Sequence, residues 1–166
     1  MNIPLVDLRT QYRKLKDEID PAIQAVLDKC NFILGDELAA FEQAFARFVG
    51  VRHGIGVSSG TEALHLAMRA AGIGPGDEVI TPANTFIATA VAISLTGARP
   101  VLVDCEPDGY EIDINQIAPA VTERTKAIIP VHLYGQCADM TALNKIACDH
   151  DPVSYTHLTL PTILLV

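Results

Sequence analysis

The chain has 166 residues, of which 49% are hydrophobic and 19% are charged. This composition is typical of a folded domain with a hydrophobic core and excludes an intrinsically disordered chain. The formal net charge of −8 and the pI near 4.9 argue against nucleic acid or an anionic membrane as a partner, because both would repel an acidic surface.

The sequence carries no predicted signal for export or membrane insertion. The stretch from Met1 to Leu5 lacks a basic region followed by an apolar one. No run approaches the roughly 20 apolar residues that a spanning helix needs. The four cysteines show no C-x-x-C spacing, which predicts small buried thiols rather than a metal site or disulfides. A cytoplasmic protein without a bound metal is therefore expected.

Helical periodicity dominates the first 50 residues. A first amphipathic piece runs over 9–19. Asp20 is then a predicted N-cap, and Pro21 is the first residue of a second helix. A third helix carries Phe41, Phe45 and Phe48 at helical spacing, which predicts that these rings belong to the core.

From residue 51 onwards, short apolar runs alternate with helical periodicity. Strands interleaved with helices predict an α/β fold, in which a mostly parallel sheet is covered by helices on both faces. The predicted strands are 53–58, 78–82, 100–104 and 127–133, and the predicted helices are 61–71, 85–96, 114–121 and 140–149.

The small residues between Ser58 and Leu64 lie between a predicted strand and a predicted helix. A tight turn at a helix start exposes backbone N–H groups without intrahelical partners, and the helix dipole adds partial positive charge. The hydroxyls of Ser59 and Thr61 add donors, so the turn at Gly60 is a predicted phosphate seat. The GxGxxxG spacing disfavours a dinucleotide-binding turn, and the lack of Gly-Lys-Ser/Thr excludes a P-loop. A merely tight strand-to-helix turn stays open.

Other predicted strand ends also carry polar or aromatic residues. Because ligands of parallel sheets bind beyond the carboxyl ends of the strands, this convergence indicates a functional site. The stretches concerned are 82–86, 104–106 and 132–136.

Several stretches, taken in chain order, carry a resemblance to a known family. They are 3–8 (IPLVDL), 32–35 (FILG), 57–64 (VSSGTEAL), 74–86 (GPGDEVITPANTF), 130–136 (PVHLYGQ) and 138–140 (ADM). Together they resemble the sugar aminotransferases of the DegT/DnrJ/StrS family, which are pyridoxal-phosphate enzymes of the aspartate aminotransferase fold type. The resemblance implies a truncated large domain of a fold-type-I enzyme, preceded by N-terminal helices.

The resemblance also implies cofactor-binding roles for four residues. Gly60 and Thr61 would hold the phosphate of pyridoxal 5′-phosphate, in agreement with the predicted phosphate seat. Phe86 would stack on the pyridine ring, and Gln136 would hydrogen-bond the ring oxygen without adding charge. Without the resemblance, Phe86 is a first-turn core aromatic and Gln136 a polar loop residue. His132 lies nearby but is expected to be structural.

No catalytic residue is assigned, because this chemistry needs a lysine that bonds to the cofactor and a carboxylate beside its pyridine nitrogen. None of the five lysines is predicted to face the ligand. Residues 152–166 contain no carboxylate and no lysine, and they look like translated sequencing-adapter read-through rather than a genuine apolar edge strand. The expected parts are 1–50, an N-terminal helical segment; 51–151, a partial cofactor-binding α/β domain; and 152–166, a non-native tail.

The resemblance implies a parent protein that moves an amino group from an amino acid to the keto group of a nucleotide-linked deoxysugar. The parent would be a homodimer, and its partners would be the nucleotide sugar and the amino-acid donor. A pyridoxamine-phosphate-dependent sugar dehydratase of the same family stays open. A non-catalytic product is the third alternative, because the chain lacks the residues that perform the chemistry.

Overall fold

The computed structural model describes residues 6–149 and the backbone of Thr156–His157. The chain divides into two compact units, Met1–Gly56 and Val57–Val166. The helices are α1 (Leu8–Lys29), α2 (Asp36–Val49), α3 (Gly60–Ala70), α4 (Ala88–Leu95), α5 (Ile114–Ala120) and α6 (Met140–Asp149), with a 3₁₀ turn at Leu133–Gly135. The strands are β1 (Glu78–Pro82), β2 (Arg99–Val103), β3 (Thr125–Ile128) and β4 (Thr156–His157).

Helix α1 runs without interruption through Pro21, so the predicted break and N-cap at Asp20 are wrong. Proline removes one intrahelical hydrogen bond. Side chains bridge this turn instead, because the Asp20 carboxylate accepts from the Lys16 ammonium and from the Tyr12 hydroxyl, the latter at 2.7 Å. The helix begins at Leu8, directly after the true N-cap, Asp7, whose carboxylate accepts the N–H of Thr10 at 3.0 Å.

The phenylalanines of α2 are not core residues within the described part of this unit. Phe48 is 88% exposed, Phe41 is 36% exposed, and Phe41 stacks on Phe45 with ring centroids 5.9 Å apart. The helical periodicity was predicted correctly, but the face that it marks leaves the rings of Phe41 and Phe48 exposed. The one buried residue of α2 is Ala46.

Residues 53–58 do not form the predicted strand. A strand needs a neighbour for its hydrogen-bond ladder, and no described strand pairs with this segment. The N–H of Gly56 donates instead to the side chain of Glu42 at 2.7 Å. A Cβ on Gly54 would lie 2.7 Å from the carbonyl oxygen of Glu42, so the segment approaches α2 too closely for a larger residue.

The second unit contains a sheet in the order β2-β1-β3-β4, and every pair in it is parallel. Strand β1 matches its predicted bounds, and β2 differs from its prediction by one residue at each end. Strand β3 ends at Ile128, so the predicted strand over 127–133 is too long at its carboxyl end. The α/β prediction is confirmed.

Alternate residues of the central strands enter two cores, one on each face of the sheet. Val79 points to the α3–α4 side and Ile80 to the α5–α6 side, and Ala127 and Ile128 repeat the alternation in β3. The first core consists of Leu64, Met68, Ile73, Val79, Ala92, Ile93, Ala98, Ala127 and Ile129. The second consists of Ile80, Val103, Ile112, Ile117, Ile128, Ala138 and Leu143.

A threonine hydroxyl completes the β1–β3 ladder where proline interrupts it. The N–H of Ile129 donates to the carbonyl of Ile80 at 2.8 Å, so the next donor in a parallel ladder would be the N–H of residue 82. Pro82 has none. The hydroxyl of Thr81 donates to the carbonyl of Ile129 instead, at 3.1 Å. Thr81 and Ile129 are both fully buried, so this bond satisfies a carbonyl that water cannot reach.

A buried carboxylate joins the amino ends of the strands. Glu78 is 1% exposed and accepts hydrogen bonds from Thr122 at 2.7 Å, Arg99 at 2.6 Å and Arg124 at 2.7 Å. These donors lower the pKa of Glu78 to about 2, with Thr122 contributing most, because each of them favours the charged carboxylate. This cluster lies at the sheet edge opposite the predicted site and stabilises the strand alignment.

Candidate functional site at the carboxyl edge of the sheet

The strand order creates a switch point between β1 and β3. From β1 the chain passes through α4 to β2 on one side of it, and then through α5 to β3 on its other side. The connecting helices therefore pack on opposite faces, which leaves a crevice at the carboxyl ends of β1 and β3. Ligand sites of open α/β sheets form at this place.

Helix α3 begins at the same edge. It packs on the sheet through Leu64 and Met68, and its last residue is joined to β1 by a short connection over 71–77. Because α3 leads directly into the amino end of β1, the helix runs antiparallel to that strand. Gly60 and Thr61 consequently lie at the sheet's carboxyl edge, with the positive end of the helix dipole.

The first turn of α3 offers donors and no competing acceptor for them. The Ser59 side chain caps the helix by accepting the N–H of Glu62 at 3.2 Å, which leaves its own hydroxyl proton free to donate. Within residues 6–149, the N–H groups of Gly60 and Thr61 and the Thr61 hydroxyl have no hydrogen-bond partner. The carboxylate of Glu62 lies 3.5 Å from the imidazole of His65, one turn further along. This donor set fits a phosphate group.

Phe86 lies in the loop between β1 and α4, and its side chain is 74% exposed. The ring is therefore not a core aromatic. Its backbone carbonyl accepts the N–H of Thr89 at 3.0 Å, which ties the residue to the first turn of α4. The predicted helix start at residue 85 is three residues early, because α4 begins at Ala88. An exposed aromatic ring at this edge can pack against a flat ligand.

Gln136 follows the 3₁₀ turn after β3 and has an exposed side chain. Its N–H donates to the carbonyl of Leu133 at 3.2 Å, so the backbone is ordered while the amide side chain stays accessible. The Nδ1 of His132 accepts the N–H of Ala138 at 3.1 Å, which closes the loop that carries Gln136. His132 is therefore hydrogen-bonded, as the sequence predicted.

None of the five lysines lies in a loop at this edge. Three belong to α1, Lys126 is the second residue of β3 at the opposite end of the strand, and Lys145 lies within α6.

The predicted burial of the cysteines is wrong, since Cys30, Cys137 and Cys148 are exposed.

Sequence reasoning missed one feature of the site, a set of contacts that joins three strand-end loops. The side-chain amide of Asn84, after β1, donates to the backbone carbonyl of Tyr110, after β2, at 3.0 Å. The Tyr110 ring meets the Tyr134 ring, after β3, edge to face with centroids 5.2 Å apart. Aromatic residues following two strands were the available signal, but their pairing depends on the strand order.

Comparisons with known proteins identify the family. Residues 13–153 match the model of the DegT/DnrJ/EryC1/StrS aminotransferase family, and the chain belongs to this family. It is 50% identical over 145 residues to the UDP-2-acetamido-2-deoxy-3-oxo-D-glucuronate aminotransferase of Pseudomonas aeruginosa, covering 87% of this chain and 40% of that protein.

Two solved structures align with most of this chain. The structure of S. venezuelae DesV in complex with a ketimine intermediate aligns with a TM-score of 0.88 at 46% identity, covering 93% of this chain and 42% of that one. The structure of NtdA from Bacillus subtilis with bound PMP aligns with a TM-score of 0.88 at 34% identity, covering 94% and 36%.

The chain spans about 40% of the length of the curated relatives it matches. The resemblance seen in the motifs is therefore confirmed as family membership, and the candidate site residues lie within the matched range 13–153. Among the described residues, no helix has the length and apolar character needed to cross a membrane.

Proposed function

We propose that the carboxyl edge of this sheet holds the phosphate end of pyridoxal 5′-phosphate or pyridoxamine 5′-phosphate. The observation that carries the proposal is the unpartnered donor set of Gly60 and Thr61 at the start of α3, beside the switch point. A phosphate there receives backbone N–H groups, a hydroxyl and the helix dipole together. Phe86 would face the pyridine ring, and Gln136 would donate to the ring oxygen.

The bound cofactor would supply the carbonyl or amino group that is exchanged and a ring that withdraws electrons from the reacting carbon. The residues of this chain would bind and orient it. The Gly60–Thr61 turn would neutralise the phosphate, Phe86 would exclude water from one ring face, and Gln136 would fix the in-plane rotation. We assign residues 51–151 to this cofactor-binding part, after the N-terminal helical segment 1–50.

For the whole protein we propose amino transfer between an amino acid and the keto group of a nucleotide-linked sugar, in a homodimer. Support comes from the relatives, whose names specify sugar nucleotides linked to UDP or dTDP. Because no lysine of this chain lies at the site, the chain by itself would bind the cofactor without turnover. Expression of the uninterrupted gene, followed by an assay for glutamate-dependent amination of UDP- and dTDP-linked keto sugars, tests this activity. The absence of any amination would contradict it.

We also propose that residues 152–166 are not native. They contain no Asp, Glu or Lys, and the family match ends at residue 153. Except for the backbone of Thr156–His157, which pairs with Ala127 and Ile128, they lie outside the described residues. Sequencing of the source DNA across codons 148–166 is the test, and an uninterrupted native reading frame with this tail would disprove the proposal.

The phosphate seat is testable on the chain as it exists. We expect the Thr61→Val variant to weaken pyridoxamine-phosphate binding by about tenfold or more, because a hydrogen bond to a charged group contributes about 1.5–3 kcal/mol. Fluorescence titration with pyridoxamine phosphate and with pyridoxamine, which lacks the phosphate, measures the effect. The exposed Thr141, whose side chain makes no described hydrogen bond, provides the matched control Thr141→Val.

Two results would contradict the phosphate seat. Equal affinity of the unmodified chain for pyridoxamine and for its phosphate would mean that no phosphate subsite exists. An unchanged affinity of Thr61→Val for pyridoxamine phosphate would place the phosphate elsewhere.

A further inference from the structure

We propose that Tyr110 is a positioning residue that holds the Phe86 loop and the Gln136 loop in register across the cofactor site. This inference rests on the proposed function and adds a residue to which no direct contact with the phosphate or the cofactor ring is assigned. The juxtaposition that carries it is the link from Asn84 through Tyr110 to Tyr134.

Tyr110 lies at the tip of a small hairpin, residues 104–113, that follows β2. Backbone bonds close the hairpin, because Asp113 N–H donates to Asp104 at 3.0 Å and Glu106 N–H donates to Glu111 at 2.9 Å. The buried Glu111 carboxylate accepts the Tyr110 N–H at 3.2 Å and fixes the tip. The hairpin contains none of the predicted cofactor residues, so its ordered tip is not explained by cofactor contacts.

One side of Tyr110 holds the loop after β1. The amide of Asn84 donates to the Tyr110 carbonyl at 3.0 Å, and Asn84 is two residues before Phe86. This bond uses the backbone of Tyr110, so it survives replacement of the tyrosine side chain.

The other side of Tyr110 holds the loop after β3. Its ring meets Tyr134 at an interplanar angle of 89°, and Tyr134 is two residues before Gln136. Tyr134 has a left-handed backbone with φ of 56°, and Gly135 follows with φ of 86°. A non-glycine residue adopts this conformation when its surroundings favour it, and the edge-to-face contact is such a favourable interaction.

The hydrogen bond and the ring contact together place Tyr110 between the loop of Phe86, proposed to face the cofactor ring, and the loop of Gln136, proposed to bind its ring oxygen. Strand order is the reason that this bridge is needed. β2 and β3 flank β1 on opposite sides, so the loops after β2 and β3 meet only by reaching across the end of β1. Loss of the Tyr110 ring would free the Gln136 loop while leaving the phosphate seat on α3 intact.

The test compares Tyr110→Ala with Tyr110→Phe in the full chain, with inorganic phosphate and pyridoxamine phosphate as separate ligands. We expect Tyr110→Ala to lower pyridoxamine-phosphate affinity by about three- to tenfold, the range of an edge-to-face aromatic pair, and to leave phosphate affinity unchanged. Tyr110→Phe keeps the ring and should restore the affinity. Gln136→Ala should add no further loss in the Tyr110→Ala background, because the two residues act on the same contact.

A measurement without ligand makes the test independent of cofactor binding. Amide exchange at Gly135 and Gln136, whose N–H groups donate to His132 and Leu133, should accelerate about three- to tenfold in Tyr110→Ala and not in Tyr110→Phe. Unchanged amide exchange and unchanged pyridoxamine-phosphate affinity in Tyr110→Ala would overturn the inference. An equal loss of inorganic-phosphate affinity in that variant would overturn it as well, as would the failure of Tyr110→Phe to restore binding. If the unmodified chain binds neither ligand, the proposed function fails. If it binds both and Tyr110→Ala binds them equally well, only this inference fails.

Discussion

Removal of the Thr81 hydroxyl should destabilise the sheet at the switch point. Thr81→Val keeps the side-chain shape but leaves the Ile129 carbonyl without a donor, because Pro82 offers no N–H. Both Thr81 and Ile129 are fully buried, so water cannot replace the bond. A buried acceptor without a partner costs about 1–3 kcal/mol, which is the expected loss in the free energy of unfolding.

Urea unfolding followed by circular dichroism measures this loss as a lower midpoint at unchanged slope. Thermal unfolding provides a second reading, since a domain of this size loses about 2–4 °C per kcal/mol. The change should be concentrated in β1 and β3, so amide exchange at Ile129, which donates to Ile80, should increase more than exchange in α6.

A rescue variant decides whether the missing ladder bond is the cause. Pro82→Ala supplies an N–H at the position where the parallel ladder places the donor for Ile129. In the Thr81→Val background it should therefore recover about 1 kcal/mol beyond its effect in the parent chain. Strictly additive effects of the two substitutions, or a Thr81→Val variant as stable as the parent, would refute the reasoning.

Two further predictions concern the remaining sheet contacts. The pKa of Glu78 is lowered from 4.5 to about 2, chiefly by Thr122 and then Arg99, so its stabilising contribution is complete above pH 4.5 and is lost as the pH falls towards 2. Glu78→Gln should therefore lower the urea midpoint at pH 7 and make the midpoint fall less steeply between pH 4.5 and 2. An equally steep fall of the midpoint in the variant would contradict this assignment. Gly97→Ala should lower the free energy of unfolding by about 1–3 kcal/mol, because φ is +88° and the added Cβ would lie 2.8 Å from the Pro75 ring. A thermal-unfolding midpoint equal to that of the parent chain would disprove the clash.

Features that depend on neighbours in the chain were predictable from the sequence. The bounds of β1 and α6 follow from local periodicity and turn chemistry. The family motifs extended this to the fold class, which the comparisons confirm. The roles of Gly60, Thr61, Phe86 and Gln136 stay predictions that ligand titration can test.

Features that depend on a partner distant in sequence were decided by the tertiary structure. Periodicity identified the apolar face that carries Phe48 but not whether another element covers it, and the apolar run at 53–58 has no described strand to pair with.

The bond from Thr81 to Ile129 and the link from Asn84 to Tyr110 join residues 48 and 26 positions apart. Such contacts exist only once the strand order brings the two segments together, because propensity and periodicity act within a segment and carry no information about its neighbours in the sheet. The sequence by itself therefore determined local features such as the bounds of β1 and α6, and the tertiary structure decided which segments find a partner in the sheet and how the strand-end loops hold one another.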